Sequence, residues 1–311
     1  MAIGAPQPPV LLIAGPTASG KSALALAAAE QIKGVIVNAD SAQLYRDLHI
    51  LSAAPTAAEQ VRAEHRLYGV REGAESCSAA DWAAMARPEI ADIHNQGRVP
   101  VLVGGTGLYL RTLLEGIAPV PPIDPAIRRA VRTASTTENC ARLTGLDPAA
   151  AARIKAADTT RIARALEVVL STGRTLNDWQ AQRAGGIGDE IELRPLILLP
   201  PRKWLYQRCD DRLTQMIDAG AVAEVEALLA RGLDPNLPVM RAIGVREIAA
   251  YLRGAVTLDE AIAAAQQATR RYAKRQYTWF ANQPPPDWPR FREALDIANL
   301  GDALALLQPT G

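Results

Sequence analysis

The sequence predicts an α/β protein in which a parallel sheet core carries a mostly helical insertion. Three observations lead there. Short apolar runs recur through the N-terminal third, each ending in a Gly-rich or polar turn. Helical stretches alternate with them, the pattern that covers both faces of a parallel sheet. Four prolines within residues 118–125 then end the alternation, and helical texture alone follows to about residue 177.

Each element follows in order. Residues 10–14 are apolar throughout and enter a Gly-rich turn, as a strand buried on both faces does. Residues 22–31, rich in Ala and Leu, read as a helix. Residues 34–38 form a second buried strand, followed by Ala39-Asp40-Ser41. Residues 78–97 read as a helix, with Ser78 or Asp81 near its start and Gly97 past its end. Residues 99–103 form a third strand, ending in Gly104-Gly105-Thr106-Gly107. Only helices are expected from 126 to about 177, with breaks at Gly145 and Gly173. Residues 193–199 return to strand, and the chain is helical from Trp204 through Arg275 and Trp279. The expected division is 1–117 for the first part of the core and 118–187 for the insertion. Residues 188–311 complete the core and add C-terminal basic helices.

Composition sets the outer limits. The chain has 311 residues and is 49% hydrophobic, which excludes a disordered chain. Its 34 Lys and Arg nearly cancel 33 Asp and Glu, which excludes a uniformly basic protein. The distribution is uneven: residues 118–175 and 236–280 are each net +4, and the segments around them are net acidic. Two such stretches converging would make a face for phosphate backbones, although helices also carry Arg on solvated faces. Cys77, Cys140 and Cys209 lie far apart, which argues against a zinc site or disulfide framework and fits a reducing compartment. No apolar run reaches the ~18 residues of a membrane span. The first basic residue is Lys21, so a signal peptide's charged start is lacking. A cytoplasmic protein with a loose Pro-rich tail at residues 1–9 is expected.

Gly15-Pro16-Thr17-Ala18-Ser19-Gly20-Lys21-Ser22 matches the phosphate-binding pattern G-x-x-x-x-G-K-[ST]. The glycines let backbone N–H groups turn toward phosphate oxygens, Lys21 adds a point charge, and the Ser22 hydroxyl is placed for Mg²⁺. A buried strand before it and a helix after it make the match specific. The pattern implies a bound phosphoryl group without deciding whether that is a nucleotide, so nucleotide or ATP binding stays open.

In P-loop ATPases and GTPases an apolar strand ends in the Asp that holds magnesium. Here residues 99–103 end in Gly-Gly-Thr, and the carboxylate sits at Asp40 after another strand. In a parallel sheet both strand ends face the crevice of the phosphate loop. Asp40 therefore reads as a general base beside a phosphorylated substrate, or as a cap for a helix over 41–46. Thr106 is placed to orient a reacting group, with glycines around it for close approach, or the segment is a tight turn. The missing strand-end Asp favours group transfer over a motor or switch.

Taken together the motifs resemble the tRNA dimethylallyltransferase (tRNA isopentenyltransferase) family. The resemblance rests on the phosphate loop at 15–22, Asp-Ser-Ala-Gln-Leu-Tyr-Arg at 40–46 and Val-Gly-Gly-Thr-Gly-Leu-Tyr at 103–109. It continues in Arg-Ile-Ala-Arg-Ala-Leu-Glu at 161–167, Arg-Ala-Ile-Gly-Val-Arg at 241–246 and Lys-Arg-Gln-Tyr-Thr-Trp at 274–279. It implies a P-loop NTPase-like core whose helical insertion closes on the tRNA. The implied reaction moves a dimethylallyl group from dimethylallyl diphosphate to N6 of the adenosine 3′ to the anticodon, position 37, with Mg²⁺. Residues Gly15, Pro16 and Thr17 to Ser22 would bind the diphosphate, with Arg208 or Arg212 near it. Asp40 would accept the amine proton, assisted by Thr106. Asp40, Ser41, Ala42 and Gln43, Thr106, Arg128, Thr160, Arg161, Arg164, Arg241, Gly244 and Arg246 would meet the tRNA anticodon stem-loop. A monomer without membrane contact is implied. The chain departs from the family pattern at Ser52, Ala54 and Ala281, where Thr, Lys and Arg are common.

Two other enzymes share the core motifs: a P-loop small-molecule kinase, and an isopentenyltransferase acting on free adenine nucleotides. A nucleotide-regulated RNA-binding protein is a third reading. The basic stretches and the insertion disfavour the two enzymes, and Asp40 beside the loop disfavours the third. Trp179, Trp204, Trp279 and Trp288 read as packing residues, and so does His65.

Overall fold

In a computed structural model the chain is described from residue 7 to residue 308; most of the expected tail lies outside that range. Among those residues six strands form: β1 Pro9–Ala14, β2 Val35–Asn38, β3 Glu64–Arg66, β4 Pro100–Gly104, β5 Glu192–Leu198 and β6 Arg290–Phe291. They make one sheet in the order β3-β2-β4-β1-β5-β6. Every pairing is parallel. The central strands are continuous apolar runs because helices cover both their faces. Leu11 and Ile13 of β1, Ile36 of β2, Val101 and Val103 of β4 and Leu196 of β5 share one core with Leu24. Each such side chain contributes roughly 1.5–3 kcal/mol on burial. Pro195 interrupts β5 with no N–H to give, and β6 pairs only with Ile197 and Leu198 beyond it.

The edge strands β3 and β6 were not expected. They are three and two residues long and contain Glu64, His65, Arg66 and Arg290. Neither carries an apolar run; their register comes from the neighbours they pair with. The helix that Asp40 was read to cap over 41–46 does not form: that segment is a succession of turns.

The chain divides into two compact units, one of them Leu114–Ile187 and the other made from the segments on either side. The smaller unit consists of short helices with side-chain caps. Asp124, Ser135, Asp147, Asp158 and Thr175 each accept a first-turn backbone N–H. Each cap contributes about 1 kcal/mol. Val131, Leu143, Ile162 and Leu166 form its core. Glu167, buried beneath the surface, is answered by Arg132 at 2.6 Å.

Candidate active site

Because all strands run the same way, the turns after β1, β2 and β4 meet at one edge of the sheet. They approach closely. A Cβ on Gly104 would stand 2.1 Å from the Ala39 carbonyl, so only glycine ends β4 here. This contact brings the Asp40 and Thr106 turns together: Thr106 N–H donates to Ala39 C=O at 3.3 Å. The Thr106 hydroxyl oxygen accepts from Ser41 N–H at 3.0 Å.

Asp40 is fixed by the residue two before it. Asp40 N–H donates to Asn38 Oδ1 at 2.8 Å, and Asn38 Nδ2 donates to Asp40 C=O at 3.0 Å. Asn38 Nδ2 also donates to Leu67 C=O at 2.9 Å, and Trp82 Nε1 donates to Asn38 C=O at 2.9 Å. Asp40 Oδ1 accepts from Ala42 N–H at 3.0 Å, closing a turn where a helix cap had been the other reading.

In the phosphate loop, Lys21 Nζ donates back to Pro16 C=O at 2.6 Å. Burial lowers the Lys21 pKa to about 8, opposed by the Asp40 charge and reinforced by Arg212. Ser19 is buried and its hydroxyl has no hydrogen-bond partner, which is capacity left for a phosphate oxygen. Among the described residues no group of three or more His, Cys, Asp and Glu could hold a metal. A magnesium ion carried by a diphosphate and its waters would need from the protein no more than a hydroxyl. Ser22 supplies one: it is exposed and shares a small recess with Gln43 and Tyr68.

A cavity of about 350 Å³ opens beside these turns. Thr17, Ala18, Asp40, Cys209 and Arg212 are among the residues that line it. Burial pushes the Cys209 thiol up to about 11 against the pull of Arg212 and Lys21, so it stays protonated. Leu48, Leu51, Leu213, Met216, Val239 and Ile243 line it as well. The loop carrying Leu48 and Leu51 is held by Glu224, whose carboxylate accepts from His49, Ile50 and Leu51 N–H at 2.6, 2.7 and 2.9 Å. This is the segment that departs from the family pattern. Ser52 is buried in it and bonds to Leu48 C=O.

The two arginines left open by the sequence separate here. Arg212 lines the cavity, and burial lowers its pKa against the opposing charge of Asp40. Arg208 is exposed and lies 4.7 Å over the Trp204 ring. Ser41, Ala42 and Arg241 also line the cavity. Gln43 turns away from it and donates to Ser52 and Ala53 C=O at 3.1 and 2.7 Å. Gly244 has a φ of +96°, and a Cβ there would stand 2.9 Å from Leu51. Arg246 is exposed on the helix that follows. In the smaller unit, Arg128, Thr160 and Arg161 are exposed, and Arg161 pairs with Asp158 at 3.4 Å. Arg164 is half-buried; burial lowers its pKa, with the charges of Arg128 and Arg132 acting the same way and Glu167 opposing.

Sequence reasoning assigned no role to Asn38, Trp82 or Tyr272. The hydroxyl of Tyr272 is pushed well above the usual phenol range by burial, then by the Asp40 charge, while a hydrogen bond to Thr106 opposes. Tyr272 and Arg275 both line the cavity from the Leu258–Asn282 helix. Arg275 was legible only as part of the basic stretch at 236–280, and Tyr272 within that stretch carried no signal of its own.

A sheet edge of this kind defines an α/β P-loop enzyme of the group-transfer class, with its carboxylate placed across from the loop and not at the end of β4. The family model described as IPP transferase matches residues 43–283. The tRNA dimethylallyltransferase of Erythrobacter litoralis is 61% identical over 289 residues, 91% of each chain. That of Sphingopyxis alaskensis is 62% identical over 296 residues, 95% of this chain and 96% of its own. Among solved structures, the tRNA isopentenylpyrophosphate transferase of Bacillus halodurans aligns with a TM-score of 0.70 at 32% identity, covering 97% of this chain and 95% of that one. A eukaryotic dimethylallyltransferase acting on tRNA aligns with a TM-score of 0.77 at 26% identity, covering 88% and 69%. The chain belongs to the IPP transferase family, among its tRNA-modifying transferases.

Proposed function

We propose that this enzyme transfers the dimethylallyl group of dimethylallyl diphosphate to N6 of adenosine 37, next to the anticodon of tRNA. The observation that carries the reading is one cavity lined both by Asp40 and Arg212 and by six apolar side chains, Leu48, Leu51, Leu213, Met216, Val239 and Ile243. Its size suits a small ligand, since such sites run to about 300–1,000 Å³. The phosphate loop and Arg212 take the diphosphate. Leu48, Leu51, Leu213, Met216, Val239 and Ile243 take the five-carbon group. Magnesium, when bound at Ser22 with the diphosphate, adds charge neutralisation.

The chemistry is positioning and electrostatics. The adenine amine is a weak nucleophile because its lone pair is delocalised into the ring. As the N6–C1 bond forms, the C1–O bond breaks and diphosphate leaves, stabilised by Lys21 and Arg212. Asp40 accepts the proton released from N6. The base must leave the anticodon-loop stack to reach Asp40, which a single-stranded loop permits at low cost. Arg128, Thr160, Arg161, Arg164, Arg241 and Arg246 are the tRNA contacts of this reading, with the helical insertion at 118–187 closing on the tRNA. It acts as a monomer in the cytoplasm.

Labelled dimethylallyl diphosphate, Mg²⁺ and tRNA lacking the modification test this directly. Nucleoside analysis should recover N6-(dimethylallyl)adenosine without ATP consumption. Label transferred to free adenine nucleotides but not to tRNA, or a stoichiometric need for ATP hydrolysis, contradicts it.

A further inference from the structure

Gln276 joins two turns that are far apart in sequence. Its side chain is 6% exposed. Oε1 accepts from Thr17 N–H in the phosphate loop at 2.8 Å, and Nε2 donates to Gly105 C=O at 2.8 Å. One orientation of a carboxamide satisfies both partners, because the loop presents a donor and the turn an acceptor. The fit is tight. A Cβ on Gly105 would stand 2.3 Å from Gln276 Nε2, so the glycine is there to admit the carboxamide. Gln276 lies on the helix whose neighbouring Arg271, Lys274 and Arg275 are exposed.

We propose that Gln276 is a positioning residue that sets the phosphate loop against the Thr106 turn, holding the donor's diphosphate in register with the accepting base. This rests on the reading that the loop binds diphosphate. No acid or base chemistry is asked of the carboxamide. It anchors one loop amide and one turn carbonyl, and so fixes the distance between the diphosphate that leaves and the amine that attacks.

The test uses the full-length enzyme with inorganic diphosphate as probe, followed by calorimetry. Gln276→Met keeps the side-chain volume and removes both hydrogen bonds, each of which is worth about 0.5–1.5 kcal/mol. Diphosphate affinity should fall about tenfold, on the order of those two bonds combined. The donor KM should rise in step, while tRNA affinity is unchanged. Gly105→Ala should weaken diphosphate binding in the same way by expelling the carboxamide. Combining Gly105→Ala with Gln276→Ala should relieve the crowding against the carboxamide and leave only the Gly15 carbonyl, 3.2 Å from the added Cβ, so that the double variant binds diphosphate within about threefold of Gln276→Ala alone. Unchanged diphosphate affinity in Gln276→Met overturns the inference. So does a parallel loss of diphosphate binding, tRNA binding and thermal stability, which marks an ordinary core residue. A wild-type enzyme that does not bind diphosphate overturns the proposed function itself, and this inference with it.

Discussion

Asn38 holds Asp40 by both polar groups of its main chain, taking the N–H at 2.8 Å and giving to the carbonyl at 3.0 Å. Asn38 is itself fully buried at the end of β2. The proposed base thus stands on a rigid strand end rather than on a free loop, which is where a proton acceptor needs to be placed to a fraction of an ångström.

Replacing that support should separate turnover from binding. Asn38→Asp is nearly isosteric but cannot donate to Leu67 and Asp40 C=O when ionised. Single-turnover transfer should slow by roughly 10–100-fold from a misplaced base. Thermal stability should fall by about 1–3 kcal/mol from the carbonyls left unpaired. Unaltered transfer with lowered stability would show that Asn38 serves the fold alone.

Lys21 should give diphosphate binding a pH dependence. Burial lowers its pKa to about 8, so the ammonium is present below that value and is lost as pH rises through it. Affinity for inorganic diphosphate should therefore decline above pH 8 in the wild type, as followed by calorimetry across that range. In Lys21→Ala the affinity should be lower throughout and the decline absent. An identical decline in both proteins would remove Lys21 as its source.

The arginine pair predicts an asymmetry. Arg212→Ala should raise the donor KM by at least tenfold, the loss of a charge-assisted contact of about 1.5–3 kcal/mol. Arg208→Ala removes an exposed side chain stacked on Trp204 and should leave the donor KM within about twofold, as expected of a surface site. Steady-state kinetics on both variants decides it; equal effects would contradict the assignment.

The basic stretch on the Leu258–Asn282 helix is not uniform. Arg270 is paired with Asp210 at 2.5 Å, whereas Arg271 and Lys274 are exposed. Each phosphate neutralised contributes about 0.7 to the slope of log affinity against log salt for single strands. Arg271→Ala with Lys274→Ala should flatten that slope for tRNA by roughly 1–1.5. Arg270→Ala should change it little, since that charge is already answered. The donor KM should not move. A salt slope unchanged in the double variant would put the tRNA face elsewhere.

The readability of this chain followed how local each signal was. The glycine pattern at 15–22 and the four buried strands announce themselves within a few residues, because apolar runs and glycines act at that range. The edge strands β3 and β6 carry no such run and exist through pairing alone. The site's second layer was hidden for a related reason. Gly105 and Gly107 read as glycines for close approach or as a tight turn, and what they admit is Gln276 and Trp279: a Cβ on Gly107 would stand 2.5 Å from the Trp279 ring. The motifs at 103–109 and 274–279 are thus two halves of one contact, and a single sequence shows only the halves. The choice between Arg208 and Arg212 was equally closed to sequence, since both lie on one helical face and burial alone separates them.

Asp40→Asn tests the central claim most directly. The amide keeps the shape and can still accept from Ala42 N–H, but it has almost no basicity. Single-turnover transfer from dimethylallyl diphosphate to tRNA, measured with both substrates saturating, should slow by ~10²–10⁴ relative to wild type. The affinities for tRNA and for diphosphate should remain within a few-fold. Transfer at a near-normal rate in Asp40→Asn would contradict the account, because the proton of the adenine amine would then be leaving by another route.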